Sequence, residues 1–176
     1  MAAAAASPAA ATTTDFTGVW REASLHNLEE FLKGMGVGWI KRKAATQLIK
    51  LKTQTQTVLY DHAGQVITIS VVGKPSGDEQ NTVNIGRPTV VAAKLTSGED
   101  SVLTLNLAWS EDGSVLINDF VGEKGRLIVK RSMVGAQMKV ECCHVDSGKA
   151  MWRMFDRIEA GKTVRLGEDG KLVALA

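Results

Sequence analysis

The pattern of apolar and polar positions changes character about a third of the way along the chain. Near the start, Leu28, Phe31 and Leu32 recur at positions i, i+3 and i+4, the spacing of one helix face. The glycine-rich stretch 34–38 ends that helix, and a second short helix is predicted over about 39–48. The N-terminal part of the chain is therefore predicted to form a helix-turn-helix.

After about residue 51, short runs rich in β-forming residues alternate with turn signals. Runs such as 65–70, 102–107 and 127–130 are separated by Gly, Asp and Ser clusters at the spacing of successive antiparallel hairpins. The pattern predicts a mostly-β fold. Closing such a sheet removes its exposed edges, but the pattern alone leaves both a barrel and a sandwich open.

The length of the chain, 176 residues, favours one folded domain. Residues 1–14 are rich in Ala and Thr and carry no charged side chain. We predict that they form a disordered tail, with an atypical targeting segment as the alternative. The folded domain is predicted over 15–158, and 159–176 is predicted to be a C-terminal extension with a possible extra hairpin.

Composition narrows the functional classes. The chain has 21 Lys and Arg against 19 Asp and Glu, and this balance argues against a nucleic-acid partner. No apolar run approaches the roughly 20 residues of a membrane-spanning helix. The only cysteines, Cys142 and Cys143, are adjacent, so no disulfide framework is expected and a cytoplasmic location is predicted.

Several short motifs stand in a defined order along residues 15–158. They are FTGVW at 16–20, NLEEFL at 27–32, GVGWIKRK at 36–43, GQVITI at 64–69, IVKR at 128–131, VEC at 140–142 and WRMF at 152–155. In this order they resemble the intracellular lipid-binding proteins of the cytosolic fatty-acid-binding type, in the calycin superfamily.

The resemblance implies a closed antiparallel up-and-down β-barrel of about ten strands, capped by a short helix-turn-helix lid. It implies a non-catalytic carrier, with no cofactor and no metal, that binds a fatty acid or similar hydrophobic anion inside the barrel. The chain departs from the family in places: Glu22 stands where an apolar residue is usual, Leu28 replaces an aromatic, and IGRPT at 85–89 replaces a characteristic run.

A buried carboxylate needs a partner, and arginine suits it because its planar fork gives two parallel hydrogen bonds. The resemblance places the family's two arginines and nearby aromatic residue at Arg131, Arg153 and Phe155. Strand alternation supports an inward Arg131, since Leu127, Val129 and Met133 then share its face. For Arg153 the opposite orientation is nearly as compatible with the pattern. Phe155 lacks the hydroxyl group of a tyrosine.

Other residues are expected to line the ligand site. Val140 and Cys142 share one strand face, so we expect both inside the barrel. Phe31, Leu32 and Val37 are expected at or under the lid, with ordinary packing of helices on the barrel as the alternative.

A basic cluster near the lid consists of Lys33, Lys41, Arg42 and Lys43. It predicts transient contact with anionic membranes, to which each basic group near the surface contributes about 1 kcal/mol. A solvated helix face is the alternative reading. We expect a monomer.

Three functions remain open at this point. The first is the lipid carrier, and the second is a barrel without a lipid cavity that serves as an interaction module. The third is an enzyme or haem protein of another small-barrel family, suggested only by the run Cys142, Cys143 and His144. Adjacent strand residues diverge, which disfavours a catalytic pair or a metal site there.

Overall fold

The computed structural model describes residues 13–51, 53–61, 63, 65–74, 77–94, 100–123, 125–158, 164–166 and 172–174. All but the last two residues of the predicted N-terminal tail lie outside these ranges, and so does most of the C-terminal extension.

The chain forms one strand, two helices and then a long series of strands. The first three elements are β1 (Gly18–His26), α1 (Leu28–Gly34) and α2 (Trp39–Leu51). The strands that follow are β2 (Thr55–Asp61), β3 (Val66–Val72), β4 (Glu79–Asn84), β5 (Thr89–Lys94), β6 (Asp100–Trp109), β7 (Leu116–Gly122), β8 (Gly125–Val134), β9 (Gln137–His144), β10 (Lys149–Arg157), β11 (Val164–Leu166) and β12 (Leu172–Ala174).

The first ten strands form one antiparallel sheet in the order β4-β3-β2-β1-β10-β9-β8-β7-β6-β5. Consecutive strands of this sheet pair with each other except β4 and β5, which are its two edges. Strand β1 also pairs with β10, which brings the two ends of the domain together. The sheet is therefore a nearly closed up-and-down barrel with two helices, as the sequence predicted.

Two details refine the sequence prediction. Residues 24–26 extend β1 almost to the start of α1, and Asn27 turns the chain with a left-handed φ of 58°. The Asn27 side chain donates to the Ala150 carbonyl at 2.6 Å rather than capping α1. Helix α2 runs to Leu51, three residues beyond the predicted end. In the C-terminal extension, the short strands β11 and β12 pair in an antiparallel arrangement.

A buried aromatic cluster forms the floor of the barrel. The Phe16 and Trp109 rings stack with centroids 5.9 Å apart, and Tyr60 lies 5.8 Å from Trp109. The Trp20 indole donates to the Phe16 carbonyl at 2.9 Å. Phe16, Trp20 and Tyr60 are buried at the end opposite the lid, and the half-buried Trp109 packs against them in the main apolar core.

The two helices cover the other end of the barrel. Leu28, Phe31 and Leu32 on α1 are buried together. They pack against half-buried side chains of the barrel strands and of α2, namely Leu25, Ala45, Ile49, Leu127, Cys142 and Met151. The apolar face predicted for α1 thus attaches the lid to the rim.

A β-bulge interrupts β1 between Glu22 and Ser24. Glu22 is opposite Phe155 and Leu25 is opposite Arg153, so both face the interior although they are three residues apart. Regular alternation would place them on opposite faces. Glu22 faces inward by regular alternation with the buried Trp20, and the bulge brings Leu25 onto the same face.

Candidate functional site

Both predicted arginines lie in one transverse row of inward-facing residues. The pairings Leu116–Arg131, Arg131–Val140, Val140–Arg153 and Arg153–Leu25 run across β7, β8, β9, β10 and β1. One strand separates the two arginines, so their Cα atoms are about 10 Å apart. Both are buried, at 6% and 7% exposure, which settles the orientation of Arg153 that strand alternation had left open.

Arg131 has little to compensate its charge. Its Nη1 donates to the Asn118 side-chain oxygen at 3.1 Å, and its buried Nε has no hydrogen-bond partner among the described residues. Burial lowers the pKa of Arg131 to about 10, while the nearby Cys142 and Glu79 oppose that shift. The guanidinium is thus charged at neutral pH, and an anion reaching it would relieve its desolvation.

Arg153 has an acidic partner within the protein. Its Nη1 lies 2.6 Å from the Glu22 Oε2 atom, and both side chains are less than one-tenth exposed. The same oxygen accepts from the Gln54 amide at 3.1 Å. That Arg153 binds a ligand carboxylate stays a prediction. In the structure, one of its N–H donors already bonds to the Glu22 carboxylate.

The predicted lining residues surround this row. Phe155 and Val140 are buried in the main core, beside Met138. Cys142 lies one step toward the lid, between Val129 and Met151. Burial, and next the neighbouring Cys143, raise the pKa of the Cys142 thiol to about 12, although Arg153 and Arg131 act in the opposite direction. The thiol is therefore protonated at neutral pH.

The inward-facing residues nearer the lid are less tightly packed than those at the floor. Met138, Val140 and Phe155 are fully or almost fully buried, whereas Val129 and Met151 are half-buried although they face inward. Exposed area on an inward-facing side chain means that open space adjoins it. Open space therefore adjoins the inward-facing side chains of Val129 and Met151 under the lid.

The predicted lid residues form part of the contact between helix and barrel. Phe31 and Leu32 are buried, and Val37 packs against them while half-exposed. The Val37 amide donates to the Leu32 carbonyl at 3.0 Å, which fixes the turn after α1. Their packing agrees with the alternative that they attach the lid, and any contact with ligand would be an additional role.

A groove of about 480 Å³ opens between the helices and β1. It is lined by Glu22 and Leu25 from β1, Leu28 from α1, Thr46 and Ile49 from α2, and Thr53. Arg131 and Phe155 do not line it. The groove therefore reaches Glu22 of the Glu22–Arg153 ion pair from outside the barrel. The candidate anion site at Arg131 lies on the far side of Arg153.

The basic cluster is partly neutralised by acids on α1. The Glu29 carboxylate lies 3.0 Å from the Lys43 ammonium group and 3.9 Å from the Arg42 guanidinium. The Glu30 carboxylate lies 4.0 Å from the Lys33 ammonium group. Arg42 also donates to the Val37 carbonyl at 3.0 Å. Lys41 has no ion pair within the described part of the chain. The net charge of the cluster is thus smaller than the sequence suggests.

The run Cys142, Cys143 and His144 is not assembled into a reactive site. Cys143 points to the opposite face from Cys142, since it is paired with Ile128 and Ala150. The His144 ring contacts the Ser147 hydroxyl at 2.9 Å, in the turn that follows β9. The described residues contain no group of three His, Cys, Asp or Glu arranged to hold a metal ion.

Sequence reasoning missed two residues of the site. Asn118 is the only polar residue on the inward face of β7, between Leu116 and Phe120, and strand alternation could have found it. Glu22 was noticed only as a departure from the family. Alternation with the apolar Trp20 could have placed it inside the barrel. Its partner Arg153 lies 131 positions away in sequence, which no local pattern reports.

The fold matches solved structures of lipid-binding proteins. The fatty acid transporter REP1-NXSQ aligns at TM-score 0.62 and 21% identity, over 81% of this chain and 97% of that chain. Fatty-acid-binding protein 1 of Echinococcus granulosus aligns at TM-score 0.63 and 12% identity, over 82% and 98%. The fatty-acid-binding protein of Manduca sexta aligns at 0.62 and 17%, over 81% and 99%.

At these identities the matches establish a shared fold. No protein-family model matches the sequence, and no curated protein matches it at a significant level. No helix among the described residues combines the length and apolar character needed to cross a bilayer. The architecture is thus that of the fatty-acid-binding barrels, and its chemistry has to be argued from its own residues.

Proposed function

We propose that this chain, which has the fold of the fatty-acid-binding barrels, is a non-catalytic carrier of a fatty acid or similar hydrophobic anion. The ligand carboxylate would bind Arg131. The observation that carries the proposal is that Arg131 is buried with one neutral hydrogen-bond partner and an unpaired Nε. A buried charge without a counter-ion costs several kcal/mol, and an anionic ligand would supply that counter-ion.

The acyl chain would lie in the less tightly packed half of the barrel. Val140, Cys142 and Phe155 would contact it from the strands, and Phe31, Leu32 and Val37 from the lid. The space available supports this, because barrel diameter grows with strand number and even eight strands suffice to hold one small ligand. The names of the structural neighbours, a fatty acid transporter and two fatty-acid-binding proteins, support the same ligand class. We place the carrier in the cytoplasm as a monomer.

The test is titration of a fluorescent fatty acid into the unmodified protein and into Arg131→Gln. We expect saturable binding that weakens by about 30-fold or more in the variant, equivalent to about 2 kcal/mol. Arg126→Gln is the matched control, because Arg126 lies on the same strand, faces outward and pairs with Asp119 at 2.8 Å.

Each outcome discriminates between the hypotheses. Equal affinity in Arg131→Gln and Arg126→Gln would remove Arg131 from the site while leaving a carrier. No saturable binding by the unmodified protein would contradict the carrier and favour the interaction module, in which side chains such as the Glu22–Arg153 pair fill the interior.

The surface of α2 supports a second part of the proposal, transient contact with anionic membranes. Trp39, Ile40 and Leu51 are exposed at 63%, 76% and 80%. Lys41 and Lys43 lie among them, and Lys33 and Arg42 complete the basic cluster. An exposed apolar stripe flanked by lysines is typical of helices that lie in the membrane interface. A carrier whose lid touches the membrane would exchange cargo there.

A further inference from the structure

The buried ion pair with Glu22 gives Arg153 a counter-ion that Arg131 lacks. Glu22 faces inward from β1, two residues after the buried Trp20, and its carboxylate lies 2.6 Å from the Arg153 guanidinium. Arg131 lies in the same transverse row, two strands away, and hydrogen-bonds only the neutral Asn118 among the described residues. The pair has no net charge, so the row carries one uncompensated positive charge rather than two.

The position of Glu22 resembles that of a bound ligand head group. One of its oxygens accepts both from Arg153 and from the Gln54 amide, at 2.6 and 3.1 Å. These are the contacts that a ligand carboxylate would make with an arginine and a backbone donor. A protein side chain that is covalently held in this place excludes a ligand oxyanion from it.

We propose that Glu22 determines the head-group specificity of the barrel by acting as the permanent counter-ion of Arg153. The interior then accepts an amphiphile with a single negative charge, bound at Arg131, and disfavours one with a doubly charged head. This inference rests on the carrier function proposed above. A dianionic head would need a second cation, and the Glu22 carboxylate would repel it at short range in a low-dielectric interior.

The experiment compares two ligands with the same alkyl chain at pH 8, hexadecanoic acid and hexadecyl phosphate. The carboxylate has one charge, whereas a phosphate monoester with a second pKa near 6 has almost two. Affinities are measured for the unmodified protein, for Glu22→Gln and for Glu22→Gln/Arg153→Gln. The unmodified protein is expected to prefer hexadecanoic acid.

Glu22→Gln releases Arg153, so the ratio of phosphate to carboxylate affinity should rise by about tenfold or more. Adding Arg153→Gln removes the released charge and should return the ratio to within about threefold of the unmodified value. An unchanged ratio in Glu22→Gln would overturn the inference.

The double variant also guards against a folding failure. Glu22→Gln leaves Arg153 buried without a counter-ion and could unfold the protein, whereas the double variant contains no uncompensated charge at this position. If Arg153 does not touch the ligand, the double variant binds hexadecanoic acid about as tightly as the unmodified protein. A loss as large as that in Arg131→Gln would show that Arg153 is a ligand contact and overturn the inference.

Failure of the carrier function gives a different result. In that case the unmodified protein binds neither ligand saturably. The specificity assigned to Glu22 is then contradicted together with the carrier function. If instead the unmodified protein binds hexadecanoic acid and only the effect of Glu22→Gln is missing, the carrier stands and Glu22 is merely structural.

Discussion

At the scale of a single residue, the reactivity of the Cys142 thiol depends on how deeply it is buried inside the barrel. Its thiol lies between Val129 and Met151 and packs against the lid cluster. Burial raises the pKa of this thiol to about 12, above the ordinary cysteine value of 9.0. The folded state therefore holds the thiol proton more tightly than the unfolded chain does. The resulting stabilisation is present below pH 9 and is lost as the pH rises toward 12.

We expect Cys142 to react very slowly with iodoacetamide at pH 8. With a pKa of about 12, only about one thiol in ten thousand is ionised at that pH, and the thiolate is the reactive form. The rate can be measured by mass spectrometry on Cys143→Ser, which leaves Cys142 as the only thiol.

The matched control is Cys142→Ser, in which only the outward-facing Cys143 remains. We expect it to react faster by at least about tenfold, and a bound fatty acid should slow Cys142 further without changing Cys143. Equal rates for the two variants would contradict the burial of Cys142.

Helix α2 has apolar side chains on both its inner and its outer side. Its inner side, which includes Ala45 and Ile49, packs on the lid cluster. Its outer side exposes Ile40, Leu48 and Leu51, all more than half exposed. A helix with an apolar stripe on each side is costly in water unless the outer stripe has a partner for part of the time.

We expect replacement of the outer apolar residues to weaken association with vesicles that contain anionic lipid. Ile40→Ser and Leu51→Ser each remove apolar surface that would enter the interface, and a loss of about threefold or more is expected for each. Vesicle flotation or tryptophan fluorescence, to which the exposed Trp39 contributes, would measure it.

Val90→Ser is the control for α2, because Val90 is 71% exposed on the edge strand β5. Lys41→Glu should weaken association with anionic vesicles more than with neutral ones, since each basic group contributes about 1 kcal/mol near a charged surface. If Ile40→Ser and Val90→Ser behave alike, α2 has no special role at the membrane.

The elements show how far the sequence could predict this molecule. Hairpins were predictable because all consecutive strands of the sheet except β4 and β5 pair with each other and the turns carry Gly and Asp. Closure of the sheet was implied only by the family resemblance. The apolar pattern does not report it, because pairing of β1 with β10 joins segments more than a hundred residues apart. The same pairing places Glu22 against Arg153. From the sequence alone, where this pairing is not visible, Arg131 and Arg153 are predicted to have the same role.

At the scale of the whole molecule, the barrel has one seam, between β4 and β5. Each of these strands pairs with only one neighbour in the sheet. The turn between them is anchored, since the Ile85 amide donates to the Gln65 carbonyl and the Gly86 amide to the Leu107 carbonyl, both at 2.8 Å. The seam is therefore held at the turn and is less restrained along the strands.

This asymmetry predicts an order of hydrogen-exchange protection around the barrel. Amides of strands that pair on both sides, such as β8, β9 and β10, should exchange slowly. Amides on the unpaired sides of β4 and β5 should exchange fastest, and a ligand seated at Arg131 should slow exchange throughout the barrel by stabilising the folded state. Exchange followed by mass spectrometry, with and without a fatty acid, measures both effects. Protection of β4 and β5 equal to that of β9 would mean that the seam is closed by contacts other than those of the sheet.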